Sequence, residues 1–231
     1  MVESMGQALR AARTKQKLSL RRVAADIGVS ASLLSQVETG KTQPSVSTFY
    51  ALVNRLGISV DKLFGFEPHA APAATPVPRS TGRRNRTDSA EAPQLGSGSV
   101  VQRADEHPTL EMENGVIWKL LTVGDRSVVD SLLVTYRPGA SSSVGGRMMQ
   151  HGGVEYAYLI DGELTLQLEF DTYVLRPGDS LCFDSTRPHH YTNNGTKDAH
   201  GLWFVVGRGN LEASGQAAAL LSQAGFPTVF G

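Results

Sequence analysis

Residues 149–155 read Met-Gln-His-Gly-Gly-Val-Glu, and Pro188-His189-His190 follows about thirty residues later. Side chains of an extended strand alternate faces, so Met149, His151 and Glu155 are expected to share one. An imidazole and a carboxylate on one face, joined by a second imidazole from elsewhere, supply the donors that a divalent metal takes. Such a site could serve an enzyme or a sensor, and the rest of the chain must discriminate between them.

The chain has 231 residues and no net charge, but the charge is unevenly spread. Residues 1–65 hold nine Lys and Arg against four acids, whereas residues 99–231 hold nine against fifteen. A basic head on an acidic body implies that only the head meets a polyanion. The single cysteine, Cys182, rules out an intrachain disulfide framework and fits a reducing compartment. Its apolar neighbours Leu181 and Phe183 predict a packed, inert thiol. The N-terminal residues carry no signal-peptide core, and no apolar run approaches about eighteen residues, so a cytoplasmic protein away from membranes is expected.

Residues 67–98 are rich in Ala and Pro, then polar, with almost no large apolar side chains. Such a segment buries too little surface to offset its ordering entropy, and it reads as a flexible linker. Two domains result, over 1–66 and 99–231. Ahead of the linker, Met5–Lys15 has helical spacing, and Ser19, Ser30 and Ser45 can cap helices at 20–27, 31–39 and from 46 onward. The last of these has Phe49, Leu52, Val53 and Leu56 as its buried stripe, and a short fifth helix is expected over 60–64. After the linker, strand-like runs occur at 116–123, 128–136, 154–160, 163–170, 173–175, 180–183 and 202–206, separated by turn signals such as Asp161-Gly162. Leu164, Leu166, Leu168 and Phe170 alternate with polar residues and mark a core face. A C-terminal helix is expected over 212–224.

The string from Ala8 to Phe64, and above all GVSASLLSQVETGKTQPS, resembles the lambda-repressor-like (Xre) helix-turn-helix family over residues 5–65. That resemblance implies a five-helix DNA-binding head. In the third helix Leu33, Leu34 and Val37 point inward, leaving Ala31, Ser32, Ser35 and Gln36 outside and Ser30 at its start. A glutamine can pair with adenine, and Ser or Ala can approach bases in the major groove. Lys41 and Thr42 lie where the family touches phosphate, and Arg22 can do likewise.

The second half resembles the cupin family of jelly-roll barrels over roughly residues 110–207. Pro138-Gly139, His151, Glu155 and Gly162 fall on its first motif, and Pro177-Gly178-Asp179, His189 and Asn193 on its second. Met149 replaces the first histidine of the family's pair. The resemblance implies His151, Glu155 and His189 as ligands, a set suited to Fe, Zn, Ni or Mn. Met149, Tyr156, Tyr158, Phe183, Tyr191 and Trp203 are the expected pocket lining.

Together the expectation is a two-domain α + β chain that regulates transcription. Its head binds a double-stranded, palindromic operator as a homodimer, and its barrel senses a small molecule. The alternative is a mononuclear non-haem iron oxygenase or epoxidase of the same two-domain type. The long polar linker speaks against a head packed over the pocket.

Overall fold

Three serines start three helices. The Oγ atoms of Ser19, Ser30 and Ser45 accept from the amides of Arg22, Leu33 and Thr48 at 3.1, 3.0 and 3.2 Å, satisfying donors left free at each N-terminus. The resulting head contains α1 (Met5–Lys15), α2 (Leu20–Asp26), α3 (Ala31–Glu38) and α4 (Val46–Leu56). Gly28, at φ +67°, turns the chain between α2 and α3, a conformation a side chain would strain. Leu9, Val23, Ala24, Leu34, Val37, Phe49 and Leu52 fill the centre. Arg13 and Glu38 brace it, the guanidinium donating to both carboxylate oxygens at 2.6 and 2.8 Å.

The computed structural model describes residues 5–58, 63, 101–121 and 129–207. The expected linker and C-terminal helix lie outside these residues, as does the fifth helix except for Leu63.

The body is built of antiparallel strands: β1 (Thr109–Glu111), β2 (Val116–Leu120), β3 (Val129–Tyr136), β4 (Val154–Asp161), β5 (Leu164–Leu168), β6 (Asp171–Leu175), β7 (Ser180–Asp184), β8 (His189–Thr192) and β9 (Ala199–Val206). They form a six-stranded sheet, β1-β2-β3-β9-β4-β7, and a three-stranded sheet, β6-β5-β8. Period-two burial selects the interior: Leu132, Val134 and Tyr136 from β3, Trp203 and Val205 from β9, and Leu164, Leu166 and Leu168 from β5. Strands β1 and β8 are too short to show this alternation in the sequence.

Two expectations about packing fail. Phe170 is fully exposed, because β5 stops at Leu168 and Glu169-Phe170 form the two-residue turn into β6. Cys182 is also exposed, because it lies on the outward face of β7, an edge strand. Partial burial and the Tyr156 hydroxyl act on its thiol, with burial prevailing and pushing the pKa up. Its thiol is therefore open to solvent, with ionisation disfavoured by partial burial.

Candidate functional site

His151 and Glu155 are four residues apart, which along a continuous strand would separate them by about 13 Å. They meet instead because residues 151–153 bend before β4 begins, with Gly153 at φ +103°. The bend is pinned to the end of β7, as the His151 amide donates to the Ser185 carbonyl and the Ser185 amide to the Gly153 carbonyl, each at 3.0 Å. The third residue arrives from β8. Met149 and His189 exchange both main-chain hydrogen bonds, at 2.8 and 3.0 Å, which ties the two sequence motifs together.

The side chains of His151, Glu155 and His189 are buried, and their ligand atoms all lie within 4.8 Å of one another. His151 Nε2 and His189 Nε2 stand 3.3 and 3.6 Å from the same oxygen, Glu155 Oε2. Each ring faces a main-chain carbonyl through Nδ1, His151 at Gly152 (3.2 Å) and His189 at Arg187 (2.8 Å). A carbonyl only accepts, so those bonds place the ring protons on Nδ1 and leave Nε2 as a lone pair. Both Nε2 atoms are buried with no hydrogen-bond partner. Two nitrogen lone pairs then converge on a carboxylate oxygen, an arrangement that a bound cation would satisfy. Ligands held about 2.1 Å from one ion sit about 3 to 3.4 Å apart, close to the spacings seen. The triad could hold a metal.

The second oxygen of Glu155 is held from behind. Its Oε1 accepts from the Tyr191 hydroxyl at 2.5 Å and from Trp203 Nε1 at 3.1 Å. Burial alone would favour the neutral acid, but the neighbouring imidazoles of His151 and His189 and the Tyr191 hydroxyl act against it and lower the Glu155 pKa. Burial pushes His189 down, against the pull of Glu155, which keeps its ring neutral. Ligands in these states are ready for a metal.

Met149, Tyr191 and Trp203 line a cavity beside the triad. Phe183 stays outside the cavity but packs edge-on against His189, with ring centroids 4.9 Å apart. Tyr156 and Tyr158 do not line the cavity. With Glu155 pointing inward, the neighbours at odd offsets point outward, and Tyr158 is 47% exposed. The remaining lining includes Trp118, Tyr136 and two residues of the head, Val46 and Tyr50.

The head therefore packs on the barrel, against the expectation drawn from the linker. Tyr50 stacks on His151 with ring centroids 4.2 Å apart, and Phe49 meets Trp118 at 5.6 Å. The Ser47 amide donates to the Ser142 carbonyl (2.9 Å), and the Glu113 amide to the Pro44 carbonyl (3.0 Å). Arg147 donates to the carbonyls of Ile27 and Gly28, at 2.6 and 2.5 Å, in the turn between α2 and α3. The signal for this contact was available in the sequence. Val46, Phe49, Tyr50, Leu52, Val53 and Leu56 give α4 a wider apolar girdle than one core needs. Arg187, which flanks the second motif, pairs with Glu169 at 2.7 Å.

On α3, Ser32, Ser35 and Gln36 are exposed with the barrel in place, and Ala31 is half-buried. Ser30 serves as the helix cap, Lys41 is exposed and Thr42 is half-buried. Arg22 is exposed, although it already pairs with Asp26 at 2.9 Å.

Residues 9–63 match the helix-turn-helix family, and residues 132–205 match the cupin domain. The chain joins a helix-turn-helix domain to a cupin domain. It is 27% identical over 190 residues to the HTH-type transcriptional regulator PuuR of Escherichia coli K12, across 81% of this chain and 86% of that protein. PuuR of Shigella flexneri matches to the same extent. Among solved structures, an HTH_3 family transcriptional regulator from Vibrio cholerae shares the fold, with a TM-score of 0.54 at 18% identity over 89% of this chain and 97% of that one. Hydroxypropylphosphonic acid epoxidase from S. wedmorenis covers 88% of this chain and 97% of its own at 17% identity, but its TM-score of 0.42 is too low to bear on chemistry. Among the described residues, no helix is long and apolar enough to cross a membrane.

Proposed function

We propose that this helix-turn-helix–cupin protein is a transcriptional regulator that binds operator DNA through α3. Its cupin domain senses a small molecule at a site where His151, Glu155 and His189 hold a divalent ion. The observation that carries the reading is the α3 face. Ser32, Ser35 and Gln36 stay open to solvent while the head is docked on the barrel through α4 and the α2–α3 turn. A capped helix with a free polar face can enter a major groove, and Lys41 and Arg22 are placed to meet phosphates beside it. The names of its PuuR relatives point the same way. A homodimer on a palindromic site follows from the way such heads act.

For the barrel, the paired Nε2 lone pairs support a bound ion, with Fe, Zn, Ni and Mn all compatible with the donor set. The two-His, one-carboxylate set is also what favours an iron oxygenase as the second reading.

One preparation tests both. Binding of the purified protein to DNA upstream of its own gene, measured at two salt concentrations, is expected to exceed binding to random DNA and to weaken as salt rises. Metal content is expected to fall to background in the His151→Ala/His189→Ala double variant. Absence of specific DNA binding, with oxygen consumed by an iron-loaded sample given substrate, would reverse the assignment. Unchanged metal content in the double variant would remove the ligand set.

A further inference from the structure

The cavity beside the triad measures about 20 Å³, enough for a water molecule or two. Small-molecule sites occupy roughly 300 Å³ or more. Among the described residues, the chamber beside the triad therefore has no room for an effector as it stands, and part of its wall belongs to the head. Val46 and Tyr50 come from α4, and Tyr50 lies flat on His151.

We infer that α4 is an internal occupant of the effector site, so that effector binding and docking of the DNA-binding head exclude each other. The inference rests on the reading of the barrel as a sensing domain and names how that site is regulated. Tyr50 and Val46 must leave before anything larger than water enters the chamber beside the triad. Their departure breaks the Phe49–Trp118 contact and the Ser47–Ser142 hydrogen bond, because all of these residues ride on one helix or face it. Arg147 is the other clasp, gripping the turn that orients α3 through Ile27 and Gly28. Occupation of the barrel therefore frees the whole helix-turn-helix, not one side chain.

The docked seam does not cover the outward face of α3, so docking acts by fixing where that face points. A ligand shifts this equilibrium only as far as it prefers the undocked form, which here it does by volume exclusion. Between Asn54 on α4 and Gln150, His151, Gly152 and Thr186 on the barrel runs an open surface cleft of about 390 Å³. It offers a ligand a foothold at the seam before the helix moves.

The test uses the full chain, hydrogen exchange and 1-anilinonaphthalene-8-sulfonate, a dye that brightens in exposed apolar cavities. In the wild-type protein the amides of Ser47 and its α4 neighbours are expected to be protected and the dye dim. Arg147→Ala is expected to speed exchange at Ser47 at least tenfold and raise dye fluorescence severalfold, with α1–α3 amides unchanged. Asn54→Ala, which removes only a 3.3 Å exposed hydrogen bond to the Gln150 carbonyl, should shift both readouts in the same direction by a smaller factor. Saturating dye should in turn accelerate Ser47 exchange. The proposal is overturned if both variants leave Ser47 protected, or if the dye binds without changing exchange in α4. Because neither readout uses DNA or metal, a protein that fails to bind operator could still show the reciprocal exclusion. One that binds operator could equally fail to show it.

Discussion

Replacing Tyr191 with phenylalanine removes one oxygen from the least accessible part of the barrel. The lost atom is the donor at 2.5 Å to Glu155 Oε1, and Tyr191 is 1% exposed. A hydrogen bond to an ionised group contributes about 1.5 to 3 kcal/mol. Because Trp203 Nε1 still donates to the same oxygen, the carboxylate is not stripped and no new buried donor is orphaned. The lower half of the range therefore applies, about 2 kcal/mol, or roughly thirtyfold in the folding equilibrium. With a urea slope of about 2 kcal/mol/M, the unfolding midpoint drops by about 1 M. Both tryptophans of the chain, Trp118 and Trp203, are buried in the barrel, so their fluorescence reports its unfolding. The same variant is expected to bind metal about 10- to 100-fold more weakly, since Oε1 no longer has its full support behind the ligand oxygen. A midpoint moved by less than about 0.2 M, with metal affinity unchanged, would refute the view that Tyr191 braces Glu155.

Other consequences are equally direct. Gln36→Ala is expected to cost about 1 to 3 kcal/mol on the specific operator and little on random DNA, whereas Lys41→Ala should weaken both and lower the salt slope by about one, as read by fluorescence anisotropy. Gly201→Ala places a methyl group 2.3 Å from the Tyr158 carbonyl oxygen where β9 meets β4, and should destabilise the barrel by about 1 to 3 kcal/mol in urea melts. Asp26 is held below the usual carboxylate range, first by its hydrogen bond from Arg55 and also by the charges of Arg22 and Arg55, against some desolvation. Its contribution is present above about pH 4 and fades as the pH falls through the lowered value. Between pH 6 and 2.5 the wild-type melting temperature should accordingly fall further than that of Asp26→Asn.

What the sequence revealed depended on how local the governing physics was. Ser19, Ser30 and Ser45 act within three residues of their own positions, and the helices they start lie where the pattern predicts. His151, Glu155 and His189 could be chosen because motif spacing stands in for a fold. Their meeting, however, depends on a Gly152-Gly153 bend that an extended reading of the stretch misses. Tyr156 and Tyr158, expected in the pocket lining, stand at odd offsets from Glu155, and that parity sends them outward. Cys182 and Phe170 depended on which strand is an edge and where a strand ends, both set by pairing partners far along the chain. The seam between head and barrel is the least local feature of all. Its one trace in the sequence is the wide apolar girdle of α4, and the linker's length says nothing about the affinity of the surfaces it connects.

Tyr50 answers to two constraints at once. It lies on the helix that completes the core of the DNA-binding domain, and its ring forms part of the wall of a chamber in the other domain. For a regulator of this design, the range of molecules detected is written partly in the half that reads DNA. A change at Val46 or Tyr50 could retune the signal without altering the operator or a single residue of the barrel. Swapping the head for that of a relative would likewise exchange more than the DNA sequence recognised.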